Sequence, residues 1–270
     1  MDLNAVKLSK SRCLGYRKKI LEISQTVTAI HIGGAFSCIE ILDYIYYELI
    51  NNKFPESKFV MSKGHSCLAQ YLILNSLKII SDSELKKYCT DKGILGCHPD
   101  LGNPGINAST GSLGHGLGLC TGLAHAYKTQ SKKGKIIVLI SDGELQEGST
   151  WESLMMASNL GLDNLLIFVD HNGSQSFGIT KFSHPSFYPI KDKLDSFVCD
   201  VIEVNGHDVN QIDLKIKKIN KLNKKPKIIL ANTVKGKGVD FMENKPIWHY
   251  RSPNKEEFKV AIDNLKETSK

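Results

Sequence analysis

Three short apolar runs organise the chain: Ile-Ile-Val-Leu-Ile at 136–140, Leu-Leu-Ile-Phe-Val at 165–169 and Lys-Ile-Ile-Leu-Ala at 227–231. Each is bounded by polar residues or glycine, as strands buried on both faces require. Residues 198–204 form a fourth candidate strand and 58–61 a weaker fifth. Between them, apolar positions recur at helical spacing over about 4–27, 37–51, 66–76, 113–129, 148–160 and 209–222. Strands alternating with helices predict an α/β fold, a doubly wound, mostly parallel sheet with helices on both faces. No internal repeat or low-complexity linker interrupts the pattern, so residues 1–270 read as a single domain. In such a sheet ligands bind beyond the carboxyl ends of the strands. That directs attention to Ser141-Asp142-Gly143-Glu144 after Ile140, and to Asp170-His171-Asn172-Gly173-Ser174 after Val169.

Composition narrows the class without naming a chemistry. With 41% hydrophobic and 23% charged residues in 270, the chain can bury a sizeable core, which excludes disorder and collagen-like structure. No apolar stretch approaches the length of a membrane helix, and Met1-Asp2-Leu3-Asn4 lacks a signal-peptide pattern, so the expectation is a cytoplasmic protein without a membrane role. A net charge of +7 raises the question of a nucleic-acid partner. The excess is lysine, concentrated at 215–227 among Ile and Asn, while arginine occurs only at Arg12, Arg17 and Arg251. Lysine without stacking partners reads as a solvated helix face, and no nucleic-acid function is expected. Seven cysteines make no C-x-x-C pair, which points to reduced packing thiols.

Asp142 and Asn172 stand thirty residues apart with a helix between them. On neighbouring strands they would project two hard oxygens towards one point. Mg²⁺ favours such ligands and completes its shell with water and phosphate oxygens. Gly143 allows close backbone approach, and the following helix offers free N–H groups to the same anion. A metal-diphosphate cradle follows from these features. Two plain turns are the competing reading, since Asp-Gly and Asn-Gly are both turn formers. An EF-hand fails because Gln175 stands at the obligatory glycine and Lys181 at the bidentate glutamate. The glycine-dense 111–118 stretch does not satisfy G-x-G-x-x-G, and no G-K-[ST] occurs.

Ser141-Asp142-Gly143 with Asn172 resembles the bipartite thiamine diphosphate motif. The fuller stretch from Asp142 through Glu147, Trp151 and Leu162-Asp163-Asn164-Leu165 to Asn172 is similar to transketolase. So, in the same order, are His31-Ile32-Gly33-Gly34, Ser62-Lys63-Gly64-His65, Gly96-Cys97-His98-Pro99, Gly111-Ser112-Leu113-Gly114-His115-Gly116, Thr233-Val234-Lys235-Gly236-Lys237-Gly238 and Trp248-His249. The matches run from about residue 15 to 252, but the length is less than half that of a full transketolase. The chain therefore resembles the N-terminal, diphosphate-binding subunit of a split transketolase.

The resemblance implies that Asp142, Asn172 and the backbone carbonyl of Ser174 hold a divalent metal, Mg²⁺ or in its place Ca²⁺ or Mn²⁺. His65, Gly143 and His249 would contact the diphosphate of thiamine diphosphate, with Glu144 and Asn172 beside them, and Gly114 and His115 would lie over its rings. His31 and His98 would face the substrate. His31, His65, His98 and His249 would serve the proton transfers of ketol transfer, for which imidazole is suited near neutral pH. Glu147 resembles the family's interface glutamate. His125, His184 and His207 match no motif and read as structural, as do Cys67, Cys97 and Cys120. Ser141 stands where the family more usually has Gly, and His171 where relatives often have Tyr or an apolar residue.

The family's activating glutamate belongs to a pyrimidine-binding domain that has no counterpart here. The resemblance thus implies a separate C-terminal partner subunit in an α2β2 heterotetramer, with the 113–129 helix and the 147–160 segment as contact faces. The implied activity is that of a transferase of aldehyde or ketone groups, moving a two-carbon ketol unit between sugar phosphates, as in the pentose phosphate pathway. Alternatives are a split enzyme acting on an unusual sugar or a 2-oxo acid, as in a 1-deoxyxylulose phosphate synthase-like enzyme or a decarboxylase or dehydrogenase subunit, and a non-catalytic paralogue.

Overall fold

The structure is a computed structural model, described here for all residues except 29, 177 and 268–270. Five strands form one fully parallel sheet: β1 (Lys58–Met61), β2 (Ile136–Ser141), β3 (Leu165–His171), β6 (Asp200–Asn205) and β7 (Lys227–Asn232), in the order β1-β2-β3-β7-β6. A two-residue ladder, β4 (Ser174–Gln175) with β5 (Gly178–Ile179), follows β3 at the sheet's carboxyl edge. The helices are α1 (Leu3–Ser24), α2 (Ile32–Ser37), α3 (Ile39–Tyr44), α4 (Cys67–Ser76), α5 (Asp82–Lys86), α6 (Gly116–Thr129), α7 (Gly148–Asn159), α8 (Thr180–Ser183), α9 (Ile190–Asp195), α10 (Val209–Ile219) and α11 (Lys255–Glu267).

Alternation along the central strands divides their side chains between two cores. Ile137, Leu139, Leu166, Phe168 and Ile229 pack beneath α1, α3, α4, α10 and α11. Ile136, Val138, Ile140, Leu165, Ile167, Val169, Ile228 and Leu230 pack beneath α6, α7 and α9. Because both faces are covered, β2 is buried at every position, which is why its sequence is uninterrupted apolar rather than alternating. The α/β, doubly wound reading is thereby borne out.

Local differences from the sequence reading have local causes. The fourth strand begins at Asp200 rather than 198 because Val198 adopts φ +59° and is largely exposed. The helix expected from residue 113 starts at Gly116, since Gly111 and Gly114 lie at φ +145° and +86°. The expected 37–51 helix is broken at Cys38 (φ −108°), preceded by the short α2 and continued beyond α3 by π-helical turns over Ile45–Lys53. The helix expected over 4–27 ends at Ser24.

Candidate functional site

All five strands run the same way, so the loops after β1, β2, β3 and β7 meet along one edge. Ser141 pairs with Asp170 in the last rung of β2 and β3, which sets Asp142 beside the turn that follows β3. Asp142 is fully buried; its carboxylate accepts from the N–H of Gly143 (3.0 Å) and of Gly173 (2.7 Å). The Asn172 Oδ1 accepts from the next amide, that of Ser174, at 3.1 Å. The two side chains thus accept from consecutive backbone amides of the turn that follows β3. Ser141 closes β2 in ordinary extended backbone, so its side chain is accommodated without strain. Burial, with Asp170 close by, raises the Asp142 carboxyl above its usual range to about 6, although His171 and the two amides oppose this. A carboxylate so placed favours a cation.

The four histidines picked from sequence are brought together. The His31 ring lies 5.4 Å from that of His65, 4.9 Å from His249 and 6.3 Å from His98, and His65 lies 5.4 Å from His249. Burial pushes His31 down to about 4 and His249 to about 3, and holds His65 well below the ordinary imidazole range, with neighbouring imidazoles and Lys63 and Lys235 adding to the effect. These rings are neutral at physiological pH. The Nδ1 atoms of His31 and His249 are buried without a hydrogen-bond partner among the described residues.

Close approach explains the glycines between these residues. A Cβ at Gly34 would lie 2.8 Å from Ser66 Oγ and 3.4 Å from His65 Nε2, and one at Gly111 would meet the His98 ring at 2.8 Å. At Gly114 it would reach 2.5 Å from Ser149 Oγ and 2.6 Å from Glu147 Cβ. Glu144 is buried with its oxygens accepting from Ser62 Oγ, Gly114 N (2.9 Å) and Ser141 N (3.4 Å). It ties the Gly114 loop to the ends of β1 and β2, a positioning place rather than an open contact. Gly143 leaves room beside Gln175. His115 and Glu147 are exposed, as are His125 and His184. His207 is structural, as expected: its Nδ1 bonds Glu40 (2.9 Å) and its Nε2 accepts from Val234 N (2.9 Å).

Two residues central to this edge were not singled out from sequence. Lys235 is 2% exposed, with no carboxylate in ion-pair reach among the described residues; its ammonium donates only to the Gln175 carbonyl, at 3.4 Å. Burial and Lys63 depress it to about 8, against the pull of Asp142 and Asp170. Asp170 is a buried hub that accepts from Ser37 Oγ (2.6 Å), Thr233 Oγ1, Lys63 Nζ and Asn172 Nδ2 (3.1 Å). By taking the Asn172 amide N–H it orients the side chain so that Oδ1 is its acceptor end, with one lone pair on the Ser174 amide and a second left for a cation. His171 Nδ1 bonds Asn232 Oδ1 at 2.8 Å.

Among the described residues no three His, Cys, Asp or Glu side chains form a metal-holding group. The candidate donors expected from the sequence are of another kind, one carboxylate, one amide and a backbone carbonyl, which would suit a hard ion completed by phosphate oxygens. A buried carboxylate inclined to a cation and a buried ammonium lacking an anion fit a diphosphate with its divalent ion. No helix among the described residues is long and apolar enough to cross a membrane.

Taken together, fold and edge define a doubly wound α/β domain with the chemistry to take a phosphorylated cofactor. Residues 19–265 match the transketolase family's thiamine diphosphate-binding domain, and the chain belongs to that family. It is 37% identical over 257 residues to one subunit of the apulose-4-phosphate transketolase of Phocaeicola vulgatus, covering 93% of this chain and 91% of that one. It is 35% identical over 257 residues to a 6-deoxy-6-sulfo-D-fructose transketolase subunit of a Clostridium species, covering 92% and 93%. Among solved structures it resembles the transketolase of Leishmania mexicana, with a TM-score of 0.87 and 25% identity, over 97% of this chain but 41% of that one.

Proposed function

We propose that this chain is the N-terminal, diphosphate-binding subunit of a two-subunit transketolase, dependent on thiamine diphosphate and a divalent metal. It would transfer a two-carbon ketol unit between sugar phosphates. The observation that carries the reading is the meeting of four imidazoles with a buried, unneutralised Lys235 beside the Asp142–Asn172 oxygen pair. Relatives named as subunits, matched over more than nine-tenths of both chains, support the split arrangement. Their names, one for a sugar phosphate and one for a sulfo sugar, also favour an unusual sugar over those of the pentose phosphate pathway. That is the unusual-sugar alternative, now the preferred form of the reading.

When bound, thiamine diphosphate supplies an electron sink for carbon–carbon cleavage next to a carbonyl. This chain's part is binding and proton handling. Asp142, Asn172 and the Ser174 carbonyl would hold the metal, and Lys235, His65, His249 and Gly143 would contact the diphosphate. His31 and His98 hydrogen-bond substrate oxygens. A neutral imidazole donates one hydrogen bond and accepts another, so the depressed values of His31, His65 and His249 keep them as neutral hydrogen-bonding groups around the site at pH 7. The exposed His115 and Glu147, beside the buried Gly114, would lie on the rim, where a partner would complete the site and supply the activating glutamate. Half-exposed Leu119, Met155 and Met156 on α6 and α7 give that partner, or a second copy, an apolar contact face.

Calorimetry of the chain with its partner subunit tests the reading. Thiamine diphosphate binding should require Mg²⁺ or Ca²⁺, and Asp142→Ala should abolish it with the circular dichroism spectrum unchanged. Equal affinity in excess chelator would overturn the metal assignment.

A further inference from the structure

Of the four clustered histidines, His98 is the one whose Nδ1 meets another side chain among the described residues: Cys97 Sγ lies 3.4 Å away. The rest of His98 is firmly placed. The Tyr71 hydroxyl donates to its carbonyl at 3.0 Å, and Thr110 N donates to the carbonyl of the following Pro99 at 3.2 Å. Gly111 comes so close to the ring that an added Cβ would sit 2.8 Å from Cδ2 and 3.0 Å from Cγ. Position and plane are thus set by backbone and packing. What packing cannot set is which nitrogen carries the single proton of a neutral imidazole.

We infer that Cys97 is a positioning residue for His98, its S–H donating to Nδ1 and so fixing the tautomer that carries its N–H on Nε2. A thiol is a weak donor, but an unprotonated Nδ1 is a good acceptor, and among the described residues it is the side-chain hydrogen-bond contact that the thiol makes. His98 then meets a substrate oxygen as a donor rather than an acceptor. The inference rests on the proposed substrate-facing place of His98, and it makes the site sensitive to any reagent that consumes the Cys97 thiol. Cys97 is partly exposed, so such a reagent can reach it.

The test is long-range ¹H–¹⁵N correlation of the full chain labelled at histidine, at pH 8, with His98 assigned by His98→Gln. Wild type should show the Nε2–H form. Cys97→Ala should move a measurable fraction to Nδ1–H, and Cys97→Ser, whose hydroxyl also donates, should restore the original form. An Nδ1–H form in wild type, or an unchanged spectrum in Cys97→Ala, overturns the inference. With the partner subunit present, Cys97→Ala should lower kcat by about fivefold, the worth of one neutral hydrogen bond, with thiamine diphosphate affinity unchanged. Unchanged kcat would also count against it. Full turnover by His98→Ala, by contrast, would remove His98 from the substrate site and strike the proposed function, whatever the tautomer.

Discussion

Replacing Lys63 by Met should destabilise the chain by about 3–5 kcal/mol at pH 7, the cost of leaving one member of a buried ion pair behind. Neither Lys63 nor Asp170 has any exposed side-chain surface, and the Lys63 ammonium also donates to the Gly34 carbonyl at 3.0 Å. Methionine nearly fills the volume, so the loss is electrostatic rather than a cavity. Ser37, Thr233 and Asn172 would still donate to Asp170, but among the described residues no cation would remain in ion-pair reach, Lys235 acting only from further off. Urea unfolding followed by circular dichroism reads the change: with a slope of about 2–3 kcal/mol/M, the midpoint should fall by roughly 1–2 M. The pH dependence fixes the sign. In wild type the Asp170 carboxyl is held below its usual range by Lys63 against desolvation, so its contribution is present above the unfolded pKa and lost as pH falls through the folded one. In Lys63→Met desolvation prevails and the carboxyl rises, so the variant gains relative stability as the pH falls. The gap between the two proteins should narrow from pH 7 to pH 5. A midpoint shift under about 0.3 M, or a gap that widens in acid, would refute the argument.

Gly114→Ala forces a side chain into φ +86° against Ser149 and Glu147; overpacking and left-handed strain together cost about 2–4 kcal/mol, and thermal unfolding of the chain alone should show it. The depressed pKa values of His31, His65 and His249 make the chain less stable as pH falls below about 6.5, because the unfolded state binds protons these rings refuse. The slope is at most about 1.4 kcal/mol per pH unit per ring, and replacing His31 by Gln should flatten it in pH-dependent urea titrations. Met156→Lys, on a half-exposed position of α7, should change stability by less than about 0.5 kcal/mol yet reduce co-elution with the partner subunit in size-exclusion chromatography.

The central strands were legible in the sequence because burial on both faces writes itself as an unbroken apolar run. The edge strand β6, half-exposed along most of its length, was placed two residues early, since nothing in a letter shows that Val198 takes a positive φ. Helix α11 was not anticipated although its start carries a reciprocal cap: Asn254 Oδ1 accepts from the amides of Glu256 and Glu257, and Glu257 accepts from Asn254 N. The segment from β4 to α9 is built from elements too short for periodicity to detect. Site residues followed the same rule. Asp142 and Asn172 sit at strand ends, where position singles them out, whereas the four histidines were reached through the motifs that resemble transketolase. Lys235 lies within a quoted motif, but a lysine among several shows its role only when its burial and lack of an anion are known. Asp170 was passed over because its partners, Ser37, Lys63 and Thr233, come from distant parts of the chain.

The electrostatics of the carboxyl edge carry the last step. Lys63 is neutralised by Asp170, but Lys235 has no carboxylate in ion-pair reach among the described residues, and Asp142 is held by amides instead of a cation. Buried unpaired charges cost several kcal/mol unless they titrate away, and the shifts of Lys235 towards about 8 and Asp142 towards about 6 are that cost seen from each side. A group bearing both an anion for Lys235 and a divalent ion for Asp142 relieves both at once, whereas either charge alone relieves one. Metal and diphosphate should therefore bind with positive coupling, each raising the affinity for the other by the same factor, as linkage requires.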